Sequence, residues 1–500
     1  MKLYENISSV LSKENINLET GSMYDYMKNW KEWYSGSVAD FHFYTAHLAN
    51  GSTTECERLT MNMAKKLCED IAKLLWTEKT EINLSNKKAT QALWRVLDSN
   101  VNAFTVNFPI FLEKALALGN GALIEYKSNG ETVIDYVPGD LFIPYKYNNN
   151  YIFGLITISR QTKIDDKGKE SYYTHITYHD FENKTYKIKH ELYKSANKDE
   201  LGKKEEFKSM FANIEEITTY DDVEFPYFQI FRPNLANNLD FGSPLGISIF
   251  ANSVDRFKAV DIKYDSFMNE FVLGQKRILV DNSTIKAKAI PDTEGNINYV
   301  NYFDANDKVY VAVEGMEKQP AKEIDFKLRT AEHIDAINGE LNWLSDNVGL
   351  GEGWYQFDGQ GVKTATEVIS ENSKAFRTRQ HYLTIVNDVV YDMVNAICKL
   401  EGIKTKEISI VSDDSIIEDK NAQKTFALME VQQGLMSKKK YLMRYEGLSE
   451  EEAIQELEDI DSEKMSNQEL FGFPTEENPN NTPGKAKKEQ KDKENKEKEE

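Results

Sequence analysis

The groups able to ligate a metal or move a proton are seven histidines, three cysteines and 82 acids. His175 and His179 stand four apart, but within a strand pattern that spacing separates them by about 13 Å, too far for one ion. His42, His47, His190, His333 and His381 are scattered. Cys56, Cys68 and Cys398 are odd in number and fall in no zinc spacing, which argues against both a disulfide framework and a zinc module. Asp221-Asp222 and Asp413-Asp414 are paired carboxylates with no nucleophile or metal partner beside them. In so acidic a chain such pairs are ordinarily solvated. No G-x-x-x-x-G-K-[ST], H-E-x-x-H or G-x-S-x-G occurs. The expectation is a protein with no catalytic residue, metal or cofactor. The enzymatic alternative is a metal-dependent cytosolic protein using Asp221, Asp222 or Asp413.

One segment has the composition of a ligand loop: Gly349, Gly351, Gly353, Trp354, Gly359 and Gly361 fall within thirteen residues. The glycines are not in G-x-G-x-x-G order and follow a helix pattern, so a nucleotide loop is a poor reading. Two readings stay open. One is a flexible interhelical connection; the other is a mobile loop passing close to a large ligand, with Trp354, Tyr355 and Phe357 within it.

The elements around that loop have clear periodicity. Ser243-Pro244 reads as a helix cap and first turn. Ile247, Phe250, Val254, Phe257, Asp261, Tyr264, Met268 and Phe271 follow at gaps of three and four, with Asp261 as the interruption, up to Gly274. Ile334, Ile337, Leu341, Leu344 and Val348 repeat the pattern before Gly349. The flanks (Asp255, Arg256, Lys258, Lys263, Asp265, Glu270, Glu332, Asp335, Glu340, Asp346) read as exposed mixed charge. Such helices are either core helices carrying an insert or helices packed side by side in a ring. Between them, 276–329 is β-rich, with strands expected at Lys276–Val280, Asn298–Phe303, Lys308–Glu314 and Ile324–Leu328.

Thr364 with Glu367 makes a capping box opening a helix to about Leu400. Its seam is Leu383, Val386, Val390, Met393, Ile397 and Leu400, and its first half is cationic (Lys374, Arg377, Arg379, His381). Nearer the start, helices are expected at Met23–Tyr34, Cys56–Trp76 and Asn102–Leu118, the last with Pro109 as a kink or break. Gly119-Asn120-Gly121 then leads into strand Ala122–Tyr126. Strands at Thr132–Val137, Tyr151–Ser159, Tyr172–Tyr178, Thr185–Tyr193 and Tyr227–Phe231 follow. Beyond Leu400 come strand Ile408–Val411, helices Asn421–Gly434 and Ser449–Asp459 around Lys438-Lys439-Lys440, and a charged tail from Asn478 read as disordered.

The 500 residues imply two or three folding units. Acids exceed bases by 82 to 61, a formal charge of −21, which excludes a protein that grips nucleic acid through a basic face. No apolar leader and no run of about 18 apolar residues is present, so a soluble protein of the reducing cytosol with no membrane contact is expected.

The order of these parts resembles the tailed-bacteriophage portal proteins of siphophage type, from long-tailed phages of Gram-positive hosts. The likeness rests on Trp30-x-x-Trp33-Tyr34-x-Gly36, Leu118-Gly119-Asn120-Gly121-Ala122 and Phe241-Gly242-Ser243-Pro244-Leu245-Gly246. It also rests on the β insert returning into a second helix, the glycine segment, and Lys363-Thr364-Ala365-Thr366-Glu367-Val368.

The resemblance implies an α+β portal-type fold with long stem helices, a β-rich clip, an α+β wing and a helical crown. Residues 1–242 would be wing, 243–274 and 330–348 the stem helices, 275–329 the clip and 349–363 the tunnel loop. Residues 364–402 would be the long wing helix, 403–474 the crown and 475–500 a disordered tail. It implies a homo-oligomeric ring, typically a 12-mer, at one capsid vertex, conducting double-stranded DNA during packaging and ejection. The terminase large subunit, a head-tail connector or adaptor, scaffold and major capsid protein would be its partners, in the virion after assembly in the host cytoplasm. Gly349, Gly351, Gly353, Trp354, Gln356, Gln360 and Lys363 would touch DNA. Phe250, Val254, Phe257, Tyr264, Met268, Ile334, Ile337, Leu341 and Leu344 would build the stem and its oligomer contacts. A capsid or tail scaffold without DNA contact is the alternative within the same class. An acidic conduit fits the implied role: twelve copies would carry on the order of −250 charges, repelling the DNA backbone and limiting drag.

Overall fold

The computed structural model describes residues 8, 21–47, 51–128, 130–149, 151–164, 168–281, 287–291, 297–301, 310–313, 321–357, 365–405, 407–412, 420–446, 448 and 452–460. Chain contacts divide it into two units, Met1–Ile417 and Glu418–Glu500. Helices of the first unit are α1 (Gly21–Ser35), α2 (Ala39–His42), α3 (Met63–Leu75), α4 (Lys87–Leu97), α5 (Phe104–Leu118), α6 (Val254–Leu273), α7 (Thr330–Asn347) and α8 (Ala365–Glu401). The second unit holds α9 (Lys420–Gln432), α10 (Lys438–Tyr445) and a helix over 452–460.

Strands β1 (Phe43–His47) and β2 (Thr53–Glu57) form an antiparallel hairpin. Next come β3 (Glu81–Leu84), β4 (Gly121–Ser128), β5 (Glu131–Pro138), β6 (Phe142–Asn148), β7 (Tyr151–Ile164), β8 (Glu170–Glu182) and β9 (Thr185–Ser195). They are followed by β10 (Lys203–Glu205), β11 (Ile217–Tyr220) and β12 (Phe228–Phe231). A six-stranded antiparallel sheet runs β10-β9-β8-β7-β6 with β11 also on β9, and a three-stranded sheet runs β12-β4-β5. The fold is α+β, with one large core joining α1, α3, α5, α8 and the three-stranded sheet.

Between α6 and α7, β13 (Arg277–Asp281) pairs in parallel with β16 (Tyr310–Val313) and antiparallel with β17 (Ala321–Ile324). There β14 (Ala287–Pro291) and β15 (Ile297–Asn301) form a hairpin. The β-rich insert is therefore present, but its last strand lies before Asp325 rather than over Ile324–Leu328. The final strand of the first unit, β18 (Ile408–Val411), pairs with β3 and so belongs to the unit that runs to Ile417.

Several expected boundaries move for local reasons. The Cys56–Trp76 helix begins only at Met63, because Thr53–Glu57 is taken into the hairpin and Leu59 is left exposed. Pro109 lies inside α5 without ending it. Helix α4 carries Ala89, Leu93 and Leu97 into the core, and Asn86 caps it by accepting from the Ala89 N–H. The Lys438–Lys440 run is helical, capped by Ser437. The charged tail lies outside the described residues.

The largest correction is at Ser243-Pro244. No helix starts there; a 3-10 turn at Ala251–Ser253 leads into α6 at Val254. Residues 244–250 instead form a buried, non-helical strap over the end of α5. Asn120 holds it with both side-chain atoms, accepting from the Gly246 N–H (2.8 Å) and donating to the Gly246 carbonyl (3.1 Å). The Ile249 N–H donates to the Leu116 carbonyl. The crossing is so close that a Cβ on Gly119 would lie 2.2 Å from the Ile247 carbonyl carbon, and one on Gly246 would lie 2.6 Å from the Gly119 oxygen. Gly119 has φ +71, which terminates α5 in the left-handed region. Phe250, expected on the stem helix, is consequently a fully buried core residue.

The six-stranded sheet half-buries a histidine pair and buries a third histidine. His175 on β8 lies 3.1 Å from His190 on β9, under Phe207 and Phe211, and His179 sits 2.8 Å from the Tyr186 hydroxyl. Burial lowers His175 and His190 to about 4 and His179 to about 3, from 6.5. The unfolded chain binds more protons than the folded one between those limits, so stability falls as pH drops from about 6.5 towards 4. Urea midpoints measured across that window should decline, and His190→Phe should flatten the decline.

Two Asn120 hydrogen bonds to buried backbone groups set a second expectation. Asn120→Ala should cost about 2–4 kcal/mol in chemical denaturation, since it leaves the Gly246 N–H and carbonyl unpaired.

Candidate functional site

Helices α6 and α7 run antiparallel, as their cross-links show. Arg256 and Lys263 both reach Glu340 (3.4 and 2.6 Å), and Glu270 takes a bidentate contact from Arg329 (2.7 and 3.0 Å) with His333 nearby. The Arg329 hydrogen bonds hold the Glu270 carboxyl down to about 2. Much of the charge expected to line an outer face thus pairs within the chain. Arg256 also lies 4.7 Å over the ring of Trp343, which is exposed.

Asp261, the break in the apolar stripe, is buried and organises the inner end of this pair. Its carboxylate accepts from the Met61 N–H (2.9 Å), the Thr60 hydroxyl (2.9 Å) and His42 Nε2 (3.2 Å). The Val38 N–H donates to His42 Nδ1, which places the ring proton on Nε2, facing the carboxylate. Burial raises the Asp261 pKa, opposed by the Met61, His42 and Thr60 hydrogen bonds. One turn on, Asp265 accepts from the Leu59 N–H. The polar residue in the stripe was a readable signal; its partners, some 200 positions away in sequence, were not.

The stem residues named from periodicity mostly face the chain's own interior. Phe257, Ile337, Leu341 and Leu344 are buried, while Val254, Tyr264 and Ile334 are half-buried. Of the nine named, only Met268 is exposed, and Val260 and Phe267 are buried in its stead. The stripe is rotated because Asp261 must reach the Thr60–Met61 turn. Exposed apolar side chains on α6 are Ile262, Met268, Phe271, Val272 and Leu273.

Of the glycine segment, residues 349–357 are described. Gly349, Gly351 and Gly353 all take positive φ, from +80 to +92. The segment folds back along α7 and is fastened to it. Asn342 accepts from the Gly353 N–H, Ser345 from the Tyr355 N–H and Asn338 from the Phe357 N–H. Tyr355 is buried, its hydroxyl donating to Asp70 (3.0 Å), and Trp354 is half-buried against the core. This stretch is an anchored turn rather than a free loop; Glu352 and Gln356 are its exposed polar residues. Gln360 and Lys363 lie outside the described residues.

Helix α8 runs 37 residues, roughly 55 Å at 1.5 Å each. Its seam is buried as expected apart from half-buried Leu400, but burial also reaches its first half. Ala375 is buried, and so is Arg379, whose Nε donates to the Leu74 carbonyl. The Thr378 hydroxyl donates to the Gly349 carbonyl, tying the helix to the glycine segment.

Beside α8 is a cavity of about 520 Å³ lined by Gln229, Arg232, Asp388 and Asp392, with aromatic walls from Tyr151 and Phe228. The Glu125 carboxyl on β4 and the Gln229 amide on β12 are buried together, the amide partly offsetting the burial of the carboxyl. Burial raises Glu125 well above the usual carboxylate range. Among the described residues, no three His, Cys, Asp or Glu side chains converge as a metal set. Asp221 accepts from the Thr185 hydroxyl and Asp222 sits in a turn at φ 56; Asp413 lies outside the described residues. None of the described helices is long and apolar enough to cross a membrane.

The family model "Phage portal protein, SPP1 Gp6-like" matches residues 17–470. The chain belongs to that portal protein family. It is a structural, non-enzymatic family, so the metal-enzyme alternative falls. A solved chain described as "Neck of native GTA particle computed with C12 symmetry" aligns with TM-score 0.38 and 10% identity, over 76% of this chain and 88% of that one. No curated protein matches.

The His42–Asp261 contact joins the antiparallel helix pair of this portal protein to its N-terminal region. Asp261→Asn would turn an amide N–H towards the His42 Nε2–H or forfeit an accepted bond. It should cost about 1–3 kcal/mol. A denaturation cycle with His42→Ala should give less than the sum of the two single changes.

Proposed function

We propose that this chain is the subunit of a portal ring, twelve copies by the family resemblance, at one vertex of a phage capsid. It conducts double-stranded DNA in packaging and ejection and docks the terminase large subunit and the head-tail connector. Scaffold and major capsid protein would be its assembly partners, and the virion its destination after assembly in the host cytoplasm. The observation that carries the reading is the family match over 17–470, across a helix–β insert–helix–glycine segment order.

In this reading 1–242 with the long helix 364–402 is wing, 243–274 and 330–348 are stem, 275–329 is clip, 349–363 is tunnel loop, 403–474 is crown and 475–500 a tail. The chain charge of −21 suits a lumen that keeps a polyanion from adhering. DNA contact falls to the outer part of the loop, with exposed Gln356 and then Gln360 and Lys363, because Tyr355 and Trp354 face inward. Force comes from the partner ATPase.

Negative-stain images of the purified protein should show annular particles, and a monomer that persists at high concentration would count against the ring. Gly351→Pro with Gly353→Pro should block DNA packaging while capsids still assemble. Unimpaired packaging would favour a scaffold that never touches DNA.

A further inference from the structure

We infer that His175, His190 and Thr177 bind one divalent transition-metal ion, with Zn2+ the type, on a face of the six-stranded sheet. Thr177 is two residues from His175 on β8 and lies directly opposite His190 on β9, so all three side chains leave the same face. His175 Nε2 and His190 Nδ1 are 3.1 Å apart, and the Thr177 hydroxyl oxygen is 3.2 Å from each. Three polar atoms therefore stand at the corners of a nearly equilateral triangle. A tetrahedral Zn2+ at about 2.0–2.1 Å from its ligands spaces them about 3.3 Å apart, so one ion above the triangle reaches all three. Spacing along one strand keeps His175 from sharing an ion with His179; the neighbouring strand supplies His190 instead.

Hydrogen bonds alone leave this triangle one proton short. A ring nitrogen donates or accepts but never does both. Protons on both nitrogens would face each other across 3.1 Å, so only one of the two carries a proton. With the hydroxyl proton that makes two protons for three contacts. An ion meets three lone pairs at once, each imidazole then keeping its proton on the other nitrogen. Burial lowers both rings to about 4, so at neutral pH the ion has no charged imidazole to displace. The surroundings select the class of ion. Phe207 stacks on His190 at 5.0 Å, and Phe211 lies 4.8 Å from His175. Among the described residues no carboxylate joins the pair as a further ligand. Imidazoles without carboxylates suit Zn2+, Cu2+ and Ni2+, whereas Ca2+ and Mg2+ require sets of oxygens. Both histidines are half-buried, which leaves a side open for water as the fourth ligand. The ion would tie β8 to β9 beside the 207–211 segment.

Equilibrium dialysis of the full chain against ZnCl2, after removal of metal with EDTA, tests the site. The unmodified protein should take up one more Zn2+ per subunit than either His175→Phe or His190→Phe, with all three giving the same circular dichroism. Uptake unchanged in either variant overturns the inference. Should a variant misfold, X-ray absorption at the zinc edge of the unmodified protein, loaded with one equivalent of Zn2+, decides alone. Two imidazoles with oxygen ligands are expected there; a shell of oxygens only, or one with a single imidazole, overturns the assignment. The outcome is independent of the ring reading above, since the three donors all belong to one subunit.

Discussion

The fold turns on two backbones that cross without side chains between them, at Gly119 after α5 and Gly246 in the strap. Any Cβ at either point would enter the other chain segment. Asn120 can therefore span to both polar groups of Gly246 and replace the water they lose on burial. That clasp holds 244–250 out of a helix, although Ser243-Pro244 favours one locally, and postpones α6 to Val254. Where α6 begins then decides which of its faces meets the N-terminal region.

The second constraint is electrostatic. Where the acids of the helix pair pack, they find their partners within the chain. Glu340 serves Arg256 and Lys263, Glu270 serves Arg329, and Asp261 is satisfied by an N–H, a hydroxyl and an imidazole. These partly buried, hydrogen-bonded contacts fix register more than they add stability. The exposed residues of α6 are then the Asp255–Lys258 pair near its start and the apolar Ile262, Met268, Phe271, Val272 and Leu273 further along.

Composition alone suggested mobility for the glycine segment. Its geometry separates two uses of glycine: at 349, 351 and 353 it supplies positive φ for a turn, and the turn's N–H groups are received by three polar side chains of α7. A loop whose first half is anchored this way moves, if at all, about a fixed root.

Periodicity and punctuation made much of this legible in the sequence. Helix α1, the buried second half of α8, most strands up to Phe231 and the β insert between two helices follow from local pattern, because alternation and 3.6-residue spacing report burial directly, whereas the family and its α+β class came from the resemblance in the order of the motifs. Four things did not follow. The hairpin at 43–57 lacks an apolar signal, helix α4 went unread although Ala89, Leu93 and Leu97 mark one face of it, the insert strands are too short to delimit, and the face of α6 depends on contacts about 200 residues distant. Asp261 shows the division most clearly. The sequence by itself marked it as a polar break in an apolar helix, but only the tertiary structure brought His42, Thr60 and the Met61 N–H to it, since a buried carboxylate must find its donors in space and not along the chain.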